Sequence, residues 1–395
     1  MKLLVYEWTS FTNFDLYLAL RADKIPFCIA RIPFSARKKE ERDNFMEKLE
    51  ELLKKDFYDA VFSINYFDCI AQVCYKQNIL YISWSYDSPS LGGKIETHFY
   101  PTNRIFLFDS AELERHQKMG KQHLYHLNLA VNPERMNQLK TTPLERIKYQ
   151  SDISFVGQLY TVELQQILGC LEEYSAAYLS ALVDIQRRAY QVNMLSRLIT
   201  KEILDFIRTP EFEEKVKEFG KELGGYQGEI HPGTLELLLL KAVTNRERIL
   251  LLALLSQYYQ VKLFSGDRHQ VLEKVIFCGK VDYLKEMPKV FHHSKINLNI
   301  TLRSIEVGIP LRCLDILGCH GFLMTNYQKD LFTELEDGKD LVVYEDMEDA
   351  VEKAEFYLKN EKARKEIIKN GYKKVKDCFN YHRQLSKIWE ITGLQ

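Results

Sequence analysis

Six short apolar runs separated by helical patterns constrain this chain more than any other feature. Leu3-Leu-Val-Tyr6, Phe27-Cys-Ile-Ala30, Ala60-Val-Phe-Ser-Ile64, Leu80-Tyr-Ile-Ser83, Ile105-Phe-Leu-Phe108 and Leu124-Tyr125 each read as a strand. Helical patterns fill residues 14–22, 36–55, the stretch up to Lys76, and 111–119, where Ser110 stands as the expected N-cap. Strands joined by helices pair in parallel, in a sheet covered on both faces. Such a sheet takes its ligand beyond the carboxyl ends of its strands. That rule singles out residues 7–13 after the first run, residues 84–89 after the fourth, and Asp109 after the fifth. Trp84, Tyr86 and Asp87 would offer rings to stack on a sugar and a carboxylate to deprotonate a hydroxyl. The plainer reading is a turn in which Asp87 caps through Ser88-Pro89.

The pattern then starts again. At 395 residues the chain exceeds one ordinary core, and two domains are expected. Residues 133–150 are polar and aperiodic and read as a linker, after which Asp152-Ile-Ser-Phe-Val-Gly157 is a strand ending in glycine. Residues 171–208 contain neither Gly nor Pro, and their apolar spacing predicts one long helix. Gly224-Gly225 and His231-Pro-Gly233 separate it from a second helix over 235–258. The result is a helical hairpin inserted in an α/β domain, whose role as acceptor clamp, dimer interface or brace stays open. Alternation resumes at Val261-Lys-Leu-Phe264, which runs into Ser-Gly-Asp267. A helix over 287–293 and strands at Ile296–Ile300, Phe322–Met324 and Leu341–Val343 follow. Asp346 and Asp349 imitate a capping box, and helical pattern continues over 361–376 and 381–391.

Residues 295–326 carry the densest chemical signal: strand, loop, short helix, strand. Gly308 loosens the chain and Pro310 suits the first helical position. Arg312 then falls in the first turn, where the helix dipole disfavours a cation by about 0.3–1 kcal/mol. An anion in front of the helix would explain it, because free N–H groups and a guanidinium fork together cradle a diphosphate. Asp315, a turn later, suits the diol of a ribose. A buried strand–helix–strand with a surface arginine is the plainer reading of the same residues.

Composition excludes several classes. A net charge of −1 lacks the basic excess that phosphate contacts to nucleic acid require. Hydrophobic residues at 46% and charged residues at 28% suit a soluble globular protein. The densest apolar region, 235–255, is broken by Lys241 and by Asn245-Arg-Glu-Arg248 and would not span a membrane. Eight cysteines without a Cys-x-x-Cys pair point to free thiols in a reducing cytoplasm. The dinucleotide fingerprint, the P-loop, Gly-x-Ser-x-Gly and His-Glu-x-x-His are all absent. So is Asp-x-Asp, the usual means of holding a divalent cation on a nucleotide sugar. No metal and no cofactor are therefore expected.

Residues 82–89, 106–112, 152–157, 294–301 and 308–315, with Asn370-Gly-Tyr372 and Tyr381-His-Arg383, resemble the two-domain GT-B glycosyltransferases. The match is to the spore-maturation glycosyltransferase-like family, with its glycosyltransferase-group-1-like C-terminal domain. The resemblance implies two Rossmann-like, doubly wound α/β domains facing a cleft. They would occupy 1–140 and 151–380, the second with its insertion at about 165–258, and a terminal helix over 381–395 would cross back. It implies transfer from a nucleoside diphosphate sugar, UDP-linked, to a hydroxyl of a glycan, protein or other acceptor.

On the donor side the resemblance places Gly157, Gly266, Tyr283, Asn299, Thr301, Arg303, Pro310, Arg312 and Asp315, with Asp315 on the ribose. Trp84, Tyr86 and Asp109 fall on the acceptor side. Asp87 is the candidate base, and Arg312 the group that stabilises the leaving diphosphate. Group-1 enzymes carry a further Glu eight residues before the ribose carboxylate; here Val307 stands there, with Glu306 beside it, and His320 replaces a glycine after the helix. Stereochemistry is therefore not carried over. A nucleotide-sugar epimerase on the same fold and a non-catalytic assembly protein remain beside this reading. So does a homo-oligomer formed through the insertion.

Overall fold

The computed structural model describes residues 1–34, 39–189, 192–223 and 231–394. The first half forms an all-parallel sheet of β1 (Leu3–Tyr6), β2 (Phe27–Ala30), β3 (Ala60–Ile64), β4 (Leu80–Trp84), β5 (Asn103–Leu107) and β6 (Leu124–His126), in the order β2-β1-β3-β4-β5-β6. The second half repeats the design with β7 (Ser151–Val156), β8 (Val261–Phe264), β9 (Ile276–Phe277), β10 (Ser294–Asn299), β11 (Leu323–Asn326) and β12 (Val342–Tyr344). Its order is β12-β11-β10-β7-β8-β9. Helices cover both faces, so the central strands are buried on both sides, and β10 buries even its polar Asn297 and Asn299. In β10 only Lys295 reaches solvent. The chain is therefore the expected α/β pair of doubly wound domains.

Strand order reverses between β1 and β3 in the first sheet and between β7 and β10 in the second. Ligand crevices in open parallel sheets lie at such reversals. Across the second one lies Arg248, from the crossover helix Pro232–Leu255. Its guanidinium donates to the carbonyls of Gln158 and Ile300, just past β7 and β10, and stacks on Phe155 and Tyr160 with centroids at 5.2 and 5.1 Å.

Several expectations are corrected. The stretch 133–150 holds two helices, Pro133–Asn137 and Pro143–Tyr149, each with proline in its first turn. Residues 171–208 do not form one helix but Glu173–Arg188, Leu195–Leu198 and Lys201–Phe206, because Thr200 accepts from the Ile203 amide and starts a new helix. With Glu163–Gly169 and Pro210–Leu223 this makes a small bundle with its own core, including Leu179, Val183, Phe212, Leu239 and Val243, rather than a hairpin. The expected break at Gly224-Gly225 and residues 36–38 of the second helical pattern lie outside the described residues. Asp109, not Ser110, caps Ser110–Lys118, accepting from the amides of Ala111 and Glu112. Asp346 accepts from the Asp349 amide, but Asp349 returns to Glu345, so that capping box is incomplete.

The two halves share a continuous core. Phe108, Leu129 and Val131 pack with Met287, Phe291, Leu314 and Phe379. The last helix, Tyr381–Thr392, sets Tyr381, Leu385 and Ile388 against Leu3, Phe62 and Trp84 of the first sheet. All eight cysteines are unpaired. No described helix is long and apolar enough to cross a membrane.

Candidate active site

The candidate site is built around the helix Leu311–Gly318. Its N-cap is Pro310, whose ring has no polar atom to cap with; the Cys313 amide donates to the Pro310 carbonyl at 3.0 Å, which leaves the amides of Leu311 and Arg312 without a side-chain cap. Asp315 sits one turn in and is only 1% exposed. The Tyr283 hydroxyl donates to it at 2.8 Å, and Arg312 lies 3.5 Å from its other oxygen. Burial pushes the Asp315 carboxyl up to about 6, against the opposing pull of Arg312 and Tyr283. Burial, with Asp315 beside it, likewise drives the Tyr283 phenol well above its ordinary range. Arg312 leans over Phe291, with its guanidinium 5.4 Å from the ring centroid, and touches the Met287 sulfur. Tyr283, Arg312 and Asp315, drawn from separate parts of the sequence, thus form one cluster.

Gly157 and Gly266 end β7 and β8 on the same side of the sheet. The Gly157 amide donates to Phe264, and the Lys280 side chain crosses Gly266 so closely that a Cβ there would collide with it. Three other donor-side expectations are corrected. Asn299 is buried and donates to Thr301 and Thr325 at 3.0 and 2.9 Å, while the Thr301 amide donates to Asn326. Both tie β10 to β11. The Arg303 guanidinium forms an ion pair with Glu247 and donates to the Arg187 carbonyl, so it anchors the insertion instead of facing a phosphate.

Across the cleft the acceptor-side expectations separate. Trp84 is fully buried in the core beneath Tyr381 and cannot stack on a sugar. Asp109 is also fully buried. Besides capping its helix it accepts from the amides of Glu306 and Val307 at 2.6 and 3.2 Å, and burial raises its carboxyl. It is a clasp between the domains rather than an acceptor contact. Tyr86 is half-buried and donates to the Tyr381 hydroxyl at 3.3 Å. Asp87 is exposed, and the Asn65 side-chain amide donates to it at 2.6 Å. Asn65 has a left-handed φ of 63° and also accepts from the Tyr86 amide, so it shapes the whole loop after β4.

Further contacts close the cleft around this cluster. Ser88 and Ser304 exchange hydroxyl-to-carbonyl hydrogen bonds of 2.9 and 2.7 Å. Ser110 donates to Asp330 through its amide and its hydroxyl. Arg135 holds Asp15 with two hydrogen bonds and reaches the Leu284 carbonyl. Phe11 packs on Tyr283 with centroids 4.2 Å apart. Behind Phe11 opens a groove of about 1220 Å³, lined by Trp8, Phe14, Tyr17, Phe34 and Phe67 with the Glu7–Arg31 ion pair. Among the described residues no three His, Cys, Asp or Glu side chains gather to hold a metal.

Arg248, Glu247 and Asn65 were not singled out from the sequence. The charged run Asn245-Arg-Glu-Arg248 was the signal for the first two: Glu247 and Arg248 are buried in the crossover helix, where Arg248 reaches the carbonyls past β7 and β10.

Residues 240–390 match the family described as glycosyl transferase-like. A comparison with curated proteins finds no match. Among solved structures the chain is similar to a sucrose-phosphate synthase from Thermosynechococcus elongatus, with TM-score 0.58, 9% identity, and 100% of this chain and 98% of that one covered. It is also similar to Alr3699/HepE of Anabaena in complex with UDP and glucose, with TM-score 0.54, 10% identity and both chains fully covered. A glycosyltransferase from Rickettsia africae ESF-5 gives TM-score 0.52 at 12% identity, covering 99% of this chain and 97% of that one. At such identities the likeness speaks for the fold. Residues 240–390 thus match the glycosyl transferase-like family, within a chain that has the GT-B fold of two facing Rossmann-like domains.

Proposed function

We propose that this protein is a glycosyltransferase that moves a sugar from a UDP-linked donor to a hydroxyl of its acceptor. The observation that carries the reading is the cluster at the helix Leu311–Gly318: uncapped amides, Arg312 in the first turn, and the buried Asp315 one turn behind. The diphosphate would rest on the amides and Arg312, and the ribose diol would donate to Asp315. The bond from the anomeric carbon to the phosphate oxygen breaks as the acceptor oxygen bonds to that carbon. Charge growing on the departing diphosphate meets donors already in place, which need no reorganisation. Asp87, exposed in the loop after β4, is the candidate to take the acceptor's proton. UDP is preferred because Alr3699/HepE, of the same fold, was solved with UDP and glucose.

Arg312 and helix amides neutralise the diphosphate in this scheme, so no divalent cation takes part. The test is turnover of UDP-sugars in excess chelator. UDP release should persist in EDTA; activity lost in EDTA and restored by Mg²⁺ or Mn²⁺ would overturn the metal-free scheme.

A further inference from the structure

A second cavity, of about 540 Å³, lies where three parts of the chain meet. The first domain contributes Arg115, the insertion contributes Arg197, Glu236 and Leu237, and the loop before the helix Leu311–Gly318 contributes Arg303 and Glu306. We propose that this cavity is the acceptor site for an uncharged, hydroxyl-rich glycan, and that the helical insertion is what selects that glycan. The inference rests on the glycosyl-transfer reading above.

Position is the first argument. With the nucleoside at Asp315 and the diphosphate on the first-turn amides, the sugar would be presented to the loop that enters the helix, whose Ser304 and Glu306 line the cavity. The aromatic groove beside β1, by contrast, meets the cluster through Phe11 and Tyr283, at the nucleoside end. Charge is the second argument. Arg115 is paired with Glu306 and Arg303 with Glu247, while Glu236 accepts from the Asn193 amide group at 2.5 Å. With Arg197 set against Glu236, the three arginines are balanced by Glu306, Glu247 and Glu236, which leaves little net charge for a phosphate or uronate. What they present is an alternation of donors and acceptors, and a sugar hydroxyl both donates and accepts. Leu237 and Leu240 add an apolar wall for the C–H face of a ring. The volume falls within the roughly 300–1,000 Å³ usual for small-molecule sites.

An array of immobilised neutral, phosphorylated and uronic oligosaccharides, probed in the presence of UDP, tests the proposal. Wild-type protein should be retained by neutral glycans. Arg197→Ala, at the exposed rim, should bind them about tenfold more weakly, the loss of one charge-assisted hydrogen bond. Leu237→Trp, which fills the cavity, should lose at least as much. Phe14→Ala, in the aromatic groove, should behave as wild type. Retention by anionic glycans alone, by none, or retention lost in Phe14→Ala but kept in both cavity variants would overturn the proposal. Calorimetry of UDP on the same preparations separates the two readings: failure to bind UDP sinks glycosyl transfer, whereas an array failure with normal UDP binding sinks only this site.

Discussion

Asp315 links nucleoside recognition to pH. Its buried carboxyl titrates near 6, above the ordinary carboxylate range, so the folded protein is penalised when it ionises, by about 3 kcal/mol for a two-unit shift. That contribution is most favourable below the unfolded value near 4 and is lost as pH rises through 6. A ribose diol donating to Asp315 favours the ionised form. Affinity for a UDP-sugar, whose diphosphate does not titrate in this range, should therefore strengthen between pH 5 and 7 and level off above about 6. Asp315→Asn should flatten the profile. Equal wild-type dissociation constants at both pH values would remove Asp315 from the ribose.

Asp87 stands on weaker physical ground than the sequence implied, since it is exposed and held by Asn65. If it is the base, Asp87→Asn should lower turnover by about 10² or more while donor affinity holds. Turnover within a few-fold of wild type would leave Asp87 with only the shape of its loop.

Arg312 drew notice because a cation in a first helical turn is a local anomaly, and it lies 3.5 Å from Asp315. Asn299, Thr301 and Arg303 misled because a polar side chain at the end of a doubly covered strand has buried neighbours on either face. Their partners are Thr325, Asn326 and Glu247, and sequence spacing does not show them.

At the scale of elements, the strands other than β9 were legible to within about two residues, and the helical insertion was not. An apolar spacing of three and four residues is common to one helix and to several in succession. The caps decide between them: Thr200 and Thr209 accept from the amides of Ile203 and Phe212 and restart the helix. The two-residue strand Ile276–Phe277 was missed although Val275-Ile-Phe-Cys278 is an apolar run, and both of its residues are exposed in the fold. The loop before the helix Leu311–Gly318 makes a sharper claim. A Cβ on Gly308 would come within 2.9 Å of the Asp109 Cα and 3.0 Å of the Phe108 carbonyl oxygen. Neither backbone atom can move aside cheaply. Gly308→Ala should therefore cost about 1–3 kcal/mol, the usual range for overpacking, and appear as a lower melting temperature. An unchanged melting temperature would mean that the loop and the first domain are not in firm contact.

Across the whole molecule, the two sheets and their facing loops follow from the alternation of strands and helices, and the family resemblance pointed to the same architecture. How the halves would meet was less legible. The shared core around Phe108 and Leu314, the Asp109 clasp and the hydrogen bond from Arg135 to the Leu284 carbonyl join residues that are far apart in sequence. The account depends on one claim above all, that the helix beginning at Leu311 holds a nucleoside diphosphate. Calorimetric titration of UDP into wild-type protein and Arg312→Ala tests it most directly. The wild type should bind, and the variant should bind more weakly by roughly 1.5–3 kcal/mol, the range for a hydrogen bond to a charged group, while melting as before. No heat with the wild type at millimolar UDP, or identical affinities for the two proteins, would contradict it.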